Sequence, residues 1–289
     1  SNIANIAIVS VTLAALLIFV VAGLPSVRES AAENLSPFFG SGTMEFGPVH
    51  GLLYATALMF VAYTGYGRIA TLGEEVRDPR RTIPRAIVLT LVVSAVLYIA
   101  VGVVAIGAVG STALARATEA EAAPLETLAR GFTVPGVHYV VAFGALTAML
   151  GVLLNLILGL SRVLLAMGRR GDMPVAVARL DAAQTTPYVA VAVMGIAVAG
   201  LAAIGSVQTT WTFSAFTVLI YYAITNLAAL RLTESDRLYP RVFSWCGLGA
   251  CLFLAFWVEW HVWAVGLGLI AVGIVWHAVR WRKTRAPSS

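Results

Sequence analysis

The chain has 289 residues, 60% of them hydrophobic and 11% charged, with a mean hydropathy of +0.88 and a formal net charge of +5. Soluble domains carry about 25% charged residues, so water is not the solvent of this chain. The basic surplus gives no case for nucleic acid either, because no solvated basic domain is present to bind it.

Several apolar runs exceed the ~18 residues that mark a transmembrane helix. In chain order eight spans are expected, over 3–24, 49–68, 86–109, 137–160, 187–206, 211–230, 242–258 and 261–279, in a single transmembrane domain covering 1–289. The clearest, from Ala86 to Val109, carries no charge. Helices are the spanning element, since lipid cannot satisfy backbone polar groups and the alternation of a barrel strand is absent. The fold class is therefore an all-α polytopic membrane protein.

Sixteen of the nineteen Lys and Arg residues follow even-numbered spans; the other three are Arg28, Arg116 and Arg130. The positive-inside rule places the basic side, and with it both termini, in the cytoplasm of a multi-pass protein of the cell membrane. Trp245, Trp257, Trp260, Trp263, Trp276 and Trp281 flank the last two spans as an aromatic belt. The segment STALARATEAEAAPLETLARG within 110–136 is rich in Ala, Leu and Glu and predicts a short surface helix. The chain starts Ser1-Asn2-Ile3 with no initiator Met and no signal-peptide pattern, so upstream sequence is expected.

The informative stretch is FVAYTGYGRIATLGEEVRDPRRTIPR at 60–85. Gly costs ~1 kcal/mol relative to Ala inside a helix, so Gly65 and Gly67 weaken the second span from within. Thr64 offers a hydroxyl to a backbone carbonyl, and Tyr63 and Tyr66 bring aromatic faces with polar tips. A helix break at membrane depth is tolerated where the freed groups meet protein or a wet cavity. Such a break can bind an amino acid, with amides for its carboxylate and carbonyls for its ammonium. On glycine alone the plainer reading is close helix approach. That reading is taken for Gly195, Gly200, Gly266, Gly268 and Gly273.

The charges that follow, Glu74, Glu75, Arg77, Asp78 and Arg81 with Arg80 and Arg85, alternate in sign, and Pro79 and Pro84 limit helix propagation there. They read as a solvated loop of positive-inside arginines or as a cytoplasmic latch. Surface pairs worth only ~0–1 kcal/mol suit a gate that must open.

The run ATLGEEVRDPRRTIPRAI at 70–87 resembles the signature of the amino acid–polyamine–organocation transporter superfamily, as does the F-x-A-Y-x-G-Y pattern before it. SRVLLAMGRRGDMP at 161–174, TPYVAV at 186–191 and YYAITNLAALRL at 221–232 are similar to later family segments, in order. The resemblance implies part of a leucine-transporter-like inverted-repeat fold, with the eight spans as family helices five to twelve. It implies that Phe60, Ala62, Tyr63, Thr64, Gly65 and Tyr66 form the sixth-helix half of a substrate site. Carbonyls near Phe60 to Tyr63 would then receive an ammonium group.

Two features depart from the family. Helices one to four, with the glycine-rich first helix that holds a carboxylate, are absent from the chain. Thr12 stands where some relatives have a proton-coupling lysine. Asn155 is an intramembrane polar residue that faces either the site or a neighbouring helix.

The leading function is secondary transport of amino acids or related amines, with a small-molecule substrate, the lipid bilayer, and missing N-terminal helices or another protomer as partners. The alternative is a non-transporting fragment or membrane interaction module. An enzyme would need acid, base, nucleophile or metal ligands clustered on one face, yet mid-span regions hold no acidic residue and Arg162 and Glu259 lie at span ends. Cys246 and Cys251, five apart on one helix, cannot bridge. His50, His138, His261 and His277 are scattered singly near span ends. No catalytic residue, metal or cofactor is expected.

Overall fold

The computed structural model describes residues 2–36, 47–65, 76–120, 123–181, 186–204 and 206–285. Among them the regular elements are all helical: α1 (Asn2–Asn34), α2 (Gly47–Ala62), α3 (Pro79–Val109), α4 (Ser111–Ala120), α5 (Pro124–Ala129), α6 (Val137–Arg170), a 3-10 turn at Val175–Ala178, α7 (Tyr188–Ile204), α8 (Val207–Leu230), α9 (Arg241–Ala255) and α10 (Trp260–Arg285). Each expected span has a helix over it. Five (α1, α3, α6, α8 and α10) are long and apolar enough to cross a membrane, and α2, α7 and α9 are shorter apolar helices. Leu89, Val96 and Ile99 on α3 are 64–65% exposed. An apolar outer face of that kind has lipid as its solvent.

The chain divides into two compact units. The first comprises Ser1–Gly42 and Tyr66–Gly159. Its core packs Phe19 and Ala22 of α1 against Val104 and Ala105 of α3, closed by Leu128, Phe132 and Val141. The Phe19 and Phe132 rings meet at 5.1 Å. Helix α1 runs ten residues past its expected end, through Pro25, because α3 continues beside it. Val27 touches Gly107, and Asn34 Nδ2 donates to the Gly107 carbonyl at 3.0 Å. The segment expected to carry a short surface helix is helical in two pieces, α4 and α5, but Ala117, Leu128 and Ala129 bury into the core instead of lying on the surface.

Helix α3 starts earlier than expected. Pro79 occupies its first turn, where a missing amide is harmless, and the helix then runs through Pro84. Pro84 therefore does not limit propagation as its sequence suggests. Arg80, Arg81 and Arg85 belong to the helix and not to a loop. Asp78, just before it, has φ 49°, the left-handed conformation that Asp tolerates better than most residues.

The second unit comprises Thr43–Gly65 and Leu160–Ser289. Its core joins Ala57 of α2, Ala215, Phe216, Leu219 and Ala223 of α8, Cys251 and Ala255 of α9, and Val262 of α10. Helix α8 begins four residues before its expected start because Ser206 caps it, its hydroxyl accepting from the Thr209 amide at 3.1 Å. Of the glycines read as sites of close helix approach, Gly266 fits: a Cβ there would collide with the Phe216 ring. At Gly195, Gly200, Gly268 and Gly273 nothing lies within 4 Å of where a Cβ would stand. Among the described residues no atom packs against these four positions, so their small size is not used there.

Candidate functional site

Helix α2 ends at Ala62, inside the apolar run, after 16 residues. At 1.5 Å per residue that is about 24 Å, short of the ~30 Å hydrocarbon core. The winding tightens before it stops. The Tyr63 amide donates to the Phe60 carbonyl at 3.1 Å and the Thr64 amide to the Val61 carbonyl at 3.2 Å. The Thr64 hydroxyl also donates to the Val61 carbonyl, at 2.7 Å. Gly65 then adopts φ +117°, a backbone conformation that side chains disfavour. Thr64 closes the last turn from its own side chain, and Gly65 leaves the helical winding.

The break leaves the C-terminal end of α2, with its partial negative charge, as a place suited to an amine. Helix α8 fixes it. Ala57 is fully buried against α8, and Trp211 Nε1 donates to the Leu58 carbonyl at 3.0 Å. The Phe60 ring stands edge-on to Tyr222 at 5.6 Å, and Tyr222 stands edge-on to Tyr221 at 5.2 Å. Sequence reasoning named Phe60, Ala62, Tyr63, Thr64 and Gly65 but missed Trp211 and Tyr222. A lone Trp near a span end and a Tyr-Tyr pair within one look like belt and packing residues. Only the pairing of α2 with α8 shows their role.

Tyr66, Glu74 and Glu75 lie outside the described residues. Of the rest of the charged segment, Arg81 Nε is 3.9 Å from Asp78 Oδ2, both side chains being well exposed. Arg77 offers its carbonyl to the Thr82 hydroxyl at 2.9 Å. Asp78 and Arg81 bracket the start of α3, and an exposed pair of this kind is worth ~0–1 kcal/mol.

In the first unit, Asn155 Nδ2 donates to Asn5 Oδ1 at 3.2 Å and to the Gly151 carbonyl at 2.9 Å. Asn155 thus joins α6 to α1, the helix–helix reading of its polarity. Such bonds average ~0.6 kcal/mol in bilayers. Asn155→Ala and Asn5→Ala are each expected to lower stability by about that much, and the double variant by no more than either alone. A thermal-unfolding cycle in detergent reads this, and additive losses would mean the bond contributes nothing.

The family model described as amino acid permease matches residues 2–289. A protein named as an uncharacterized transporter of Mycobacterium tuberculosis is 42% identical over 240 residues, which is 82% of this chain and 53% of that protein. The branched-chain amino acid permease of Bacillus subtilis is 25% identical over 259 residues, 87% of this chain and 54% of its own length. The methylthioribose transporter of the same organism is 28% identical over 287 residues, 96% of this chain and 59% of its own. The chain spans about half the length of the curated relatives it matches. A family match from end to end, on an all-helical chain whose apolar helices follow the expected spans, has one meaning: this chain is a multi-pass membrane protein of the amino acid permease family.

Proposed function

We propose that this chain is the C-terminal part of a secondary transporter that moves amino acids or related amines across the cytoplasmic membrane by alternating access. Its eight spans correspond to family helices five to twelve, both its termini face the cytoplasm, and it forms one transmembrane domain. One observation supports this above the rest: α2 stops inside an apolar run, with Gly65 at φ +117° immediately after. A packing helix has no need of such a stop, whereas a ligand-binding one does. Phe60, Ala62, Tyr63, Thr64, Gly65 and Tyr66 provide the site. Backbone carbonyls at the helix end receive the substrate ammonium, and the aromatic rings enclose its side chain. Glu74, Glu75, Arg77, Asp78 and Arg81 act as a weak latch on the cytoplasmic side. The carboxylate is held by helices upstream of this chain.

The second reading, a chain that does not transport by itself, is favoured by its span of about half of each relative. Uptake of radiolabelled amino acids, leucine first, into proteoliposomes tests both. Transport is expected when chain 1–289 is joined to the upstream helices of its gene, and none from 1–289 alone. Uptake by 1–289 alone would remove the need for further helices. No uptake of any amino acid or amine by the joined protein would remove the transport reading.

A further inference from the structure

The last turn of α2 receives a hydrogen bond from another helix at a telling place. A helix leaves its last four carbonyls without an amide partner inside it. With α2 ending at Ala62, these belong to Met59, Phe60, Val61 and Ala62. Leu58 stands just before them, and its carbonyl accepts from Trp211 Nε1 at 3.0 Å. The indole therefore bonds α2 where regular winding gives out. Beyond that point the Phe60 and Val61 carbonyls take the tightened amides of Tyr63 and Thr64.

Neither packing nor membrane anchoring explains an indole at position 211. The ring is 41% exposed, whereas Thr212 and Ala215 beside it on α8 are buried. A belt tryptophan keeps its polar edge at the wet end of the bilayer, but this N–H goes to a backbone carbonyl of another helix. The height of Trp211 is set locally, by the capped start of α8. The Ser206 hydroxyl accepts from the Thr209 amide at 3.1 Å, and the Thr210 hydroxyl donates to the Ser206 carbonyl at 2.9 Å. Trp211 follows this turn directly. Ala57, next to Leu58, is fully buried in the core that Ala215 and Phe216 share. Close packing thus fixes the spacing of α2 and α8, and the hydrogen bond is left to fix the tilt of the last turn.

We propose that Trp211 is a positioning residue for the substrate: its hydrogen bond to the Leu58 carbonyl aims the last turn of α2, and with it the carbonyls that meet the substrate ammonium. This rests on the reading of that helix end as half of a substrate site. Trp211 acts through Leu58 and not by contact with the substrate. Without the N–H the turn stays packed but loosely aimed, so binding weakens while the translocation step is untouched. Loss of binding alone raises KM and keeps the maximal rate. A tryptophan needed only for folding would do the reverse, leaving fewer carriers with an unchanged KM.

Uptake of radiolabelled leucine, or of the amino acid that the parent takes up fastest, by the joined protein in proteoliposomes tests this, with the protein in the membrane quantified alongside. Trp211→Phe keeps an aromatic ring and removes the donor, and is expected to raise KM about threefold to tenfold at an unchanged maximal rate per carrier. Trp260→Phe, at a span-end tryptophan that is 71% exposed, is expected to leave KM as it is. An unchanged KM in Trp211→Phe, an equal rise in Trp260→Phe, or loss of Trp211→Phe from the membrane overturns the role of Trp211 and leaves the transport reading standing. A parent that takes up no amino acid or amine overturns the transport reading itself, and the role of Trp211 falls with it.

Discussion

On the proposed function, Gly65→Ala and Gly65→Leu are both expected to lower amino acid uptake by the joined protein about tenfold or more while leaving its amount in the membrane unchanged. Gly195→Leu is expected to transport normally. The reason is conformational. A Cβ at Gly65 meets nothing within 4 Å, so neither variant creates a clash, but φ +117° is one that a side chain disfavours. Holding a non-glycine residue in a sparsely populated region costs about 1–3 kcal/mol. The chain escapes that cost by relaxing φ, which changes the angle at which it leaves the end of α2 and so disturbs the proposed ammonium site. A loss of about tenfold or more in uptake follows from the lower part of that range. Gly195 also has open space around its missing Cβ but does not share the positive φ, so Gly195→Leu isolates the backbone term. Normal uptake by Gly65→Leu at equal membrane abundance would separate the break in α2 from transport altogether.

The contrast between Gly65 and the other glycines also shows how far the sequence could be read. Aromatic-Thr-Gly-aromatic-Gly inside an apolar run is a local signal, because winding and its failure depend on neighbouring residues. The end of α2 at Ala62 was accordingly legible. The apolar helices were legible for a similar reason, because the length of an apolar run is a property of the run itself, and five of those described are long enough to cross a membrane. Helix ends were less so. Helix α1 continues to Asn34 because Gly107 of α3 accepts from Asn34, and α8 starts early because Ser206 caps it. The first of these depends on a residue 73 positions away. The packing use of a glycine was not legible at all. Gly266 and Gly268 sit two residues apart in the same apolar segment, yet only Gly266 faces Phe216. Composition and spacing are identical for both, and only the pairing of α10 with α8 decides between them. Trp211 and Tyr222 were missed on the same ground, since their partners, Leu58 and Phe60, lie on another helix.

That pair of glycines yields the second large effect. Gly266→Leu is expected to destabilise the chain strongly, and Gly268→Leu to leave it unchanged or slightly more stable. Phe216 is fully buried, its ring edge-on to Phe256 at 6.2 Å, and it occupies the space a side chain at position 266 would need. In lipid, helices gain no hydrophobic force from associating and rely on close packing. A leucine at position 266 either drives Phe216 from its rotamer or pushes α10 away from α8. Overpacking of this kind costs about 1–3 kcal/mol, and the upper end is expected because Phe216 anchors the core shared by α2, α8, α9 and α10. At position 268 the same residue meets open space, and replacing a helical glycine gains up to about 0.8 kcal/mol. Helix propensity and added hydrophobic area are common to both variants, so the difference between them reads the Phe216 contact alone. Thermal unfolding of the two in the same detergent should give a midpoint below the parent for Gly266→Leu and one at or above it for Gly268→Leu. Matching midpoints would mean that α10 does not lie against α8 at Phe216.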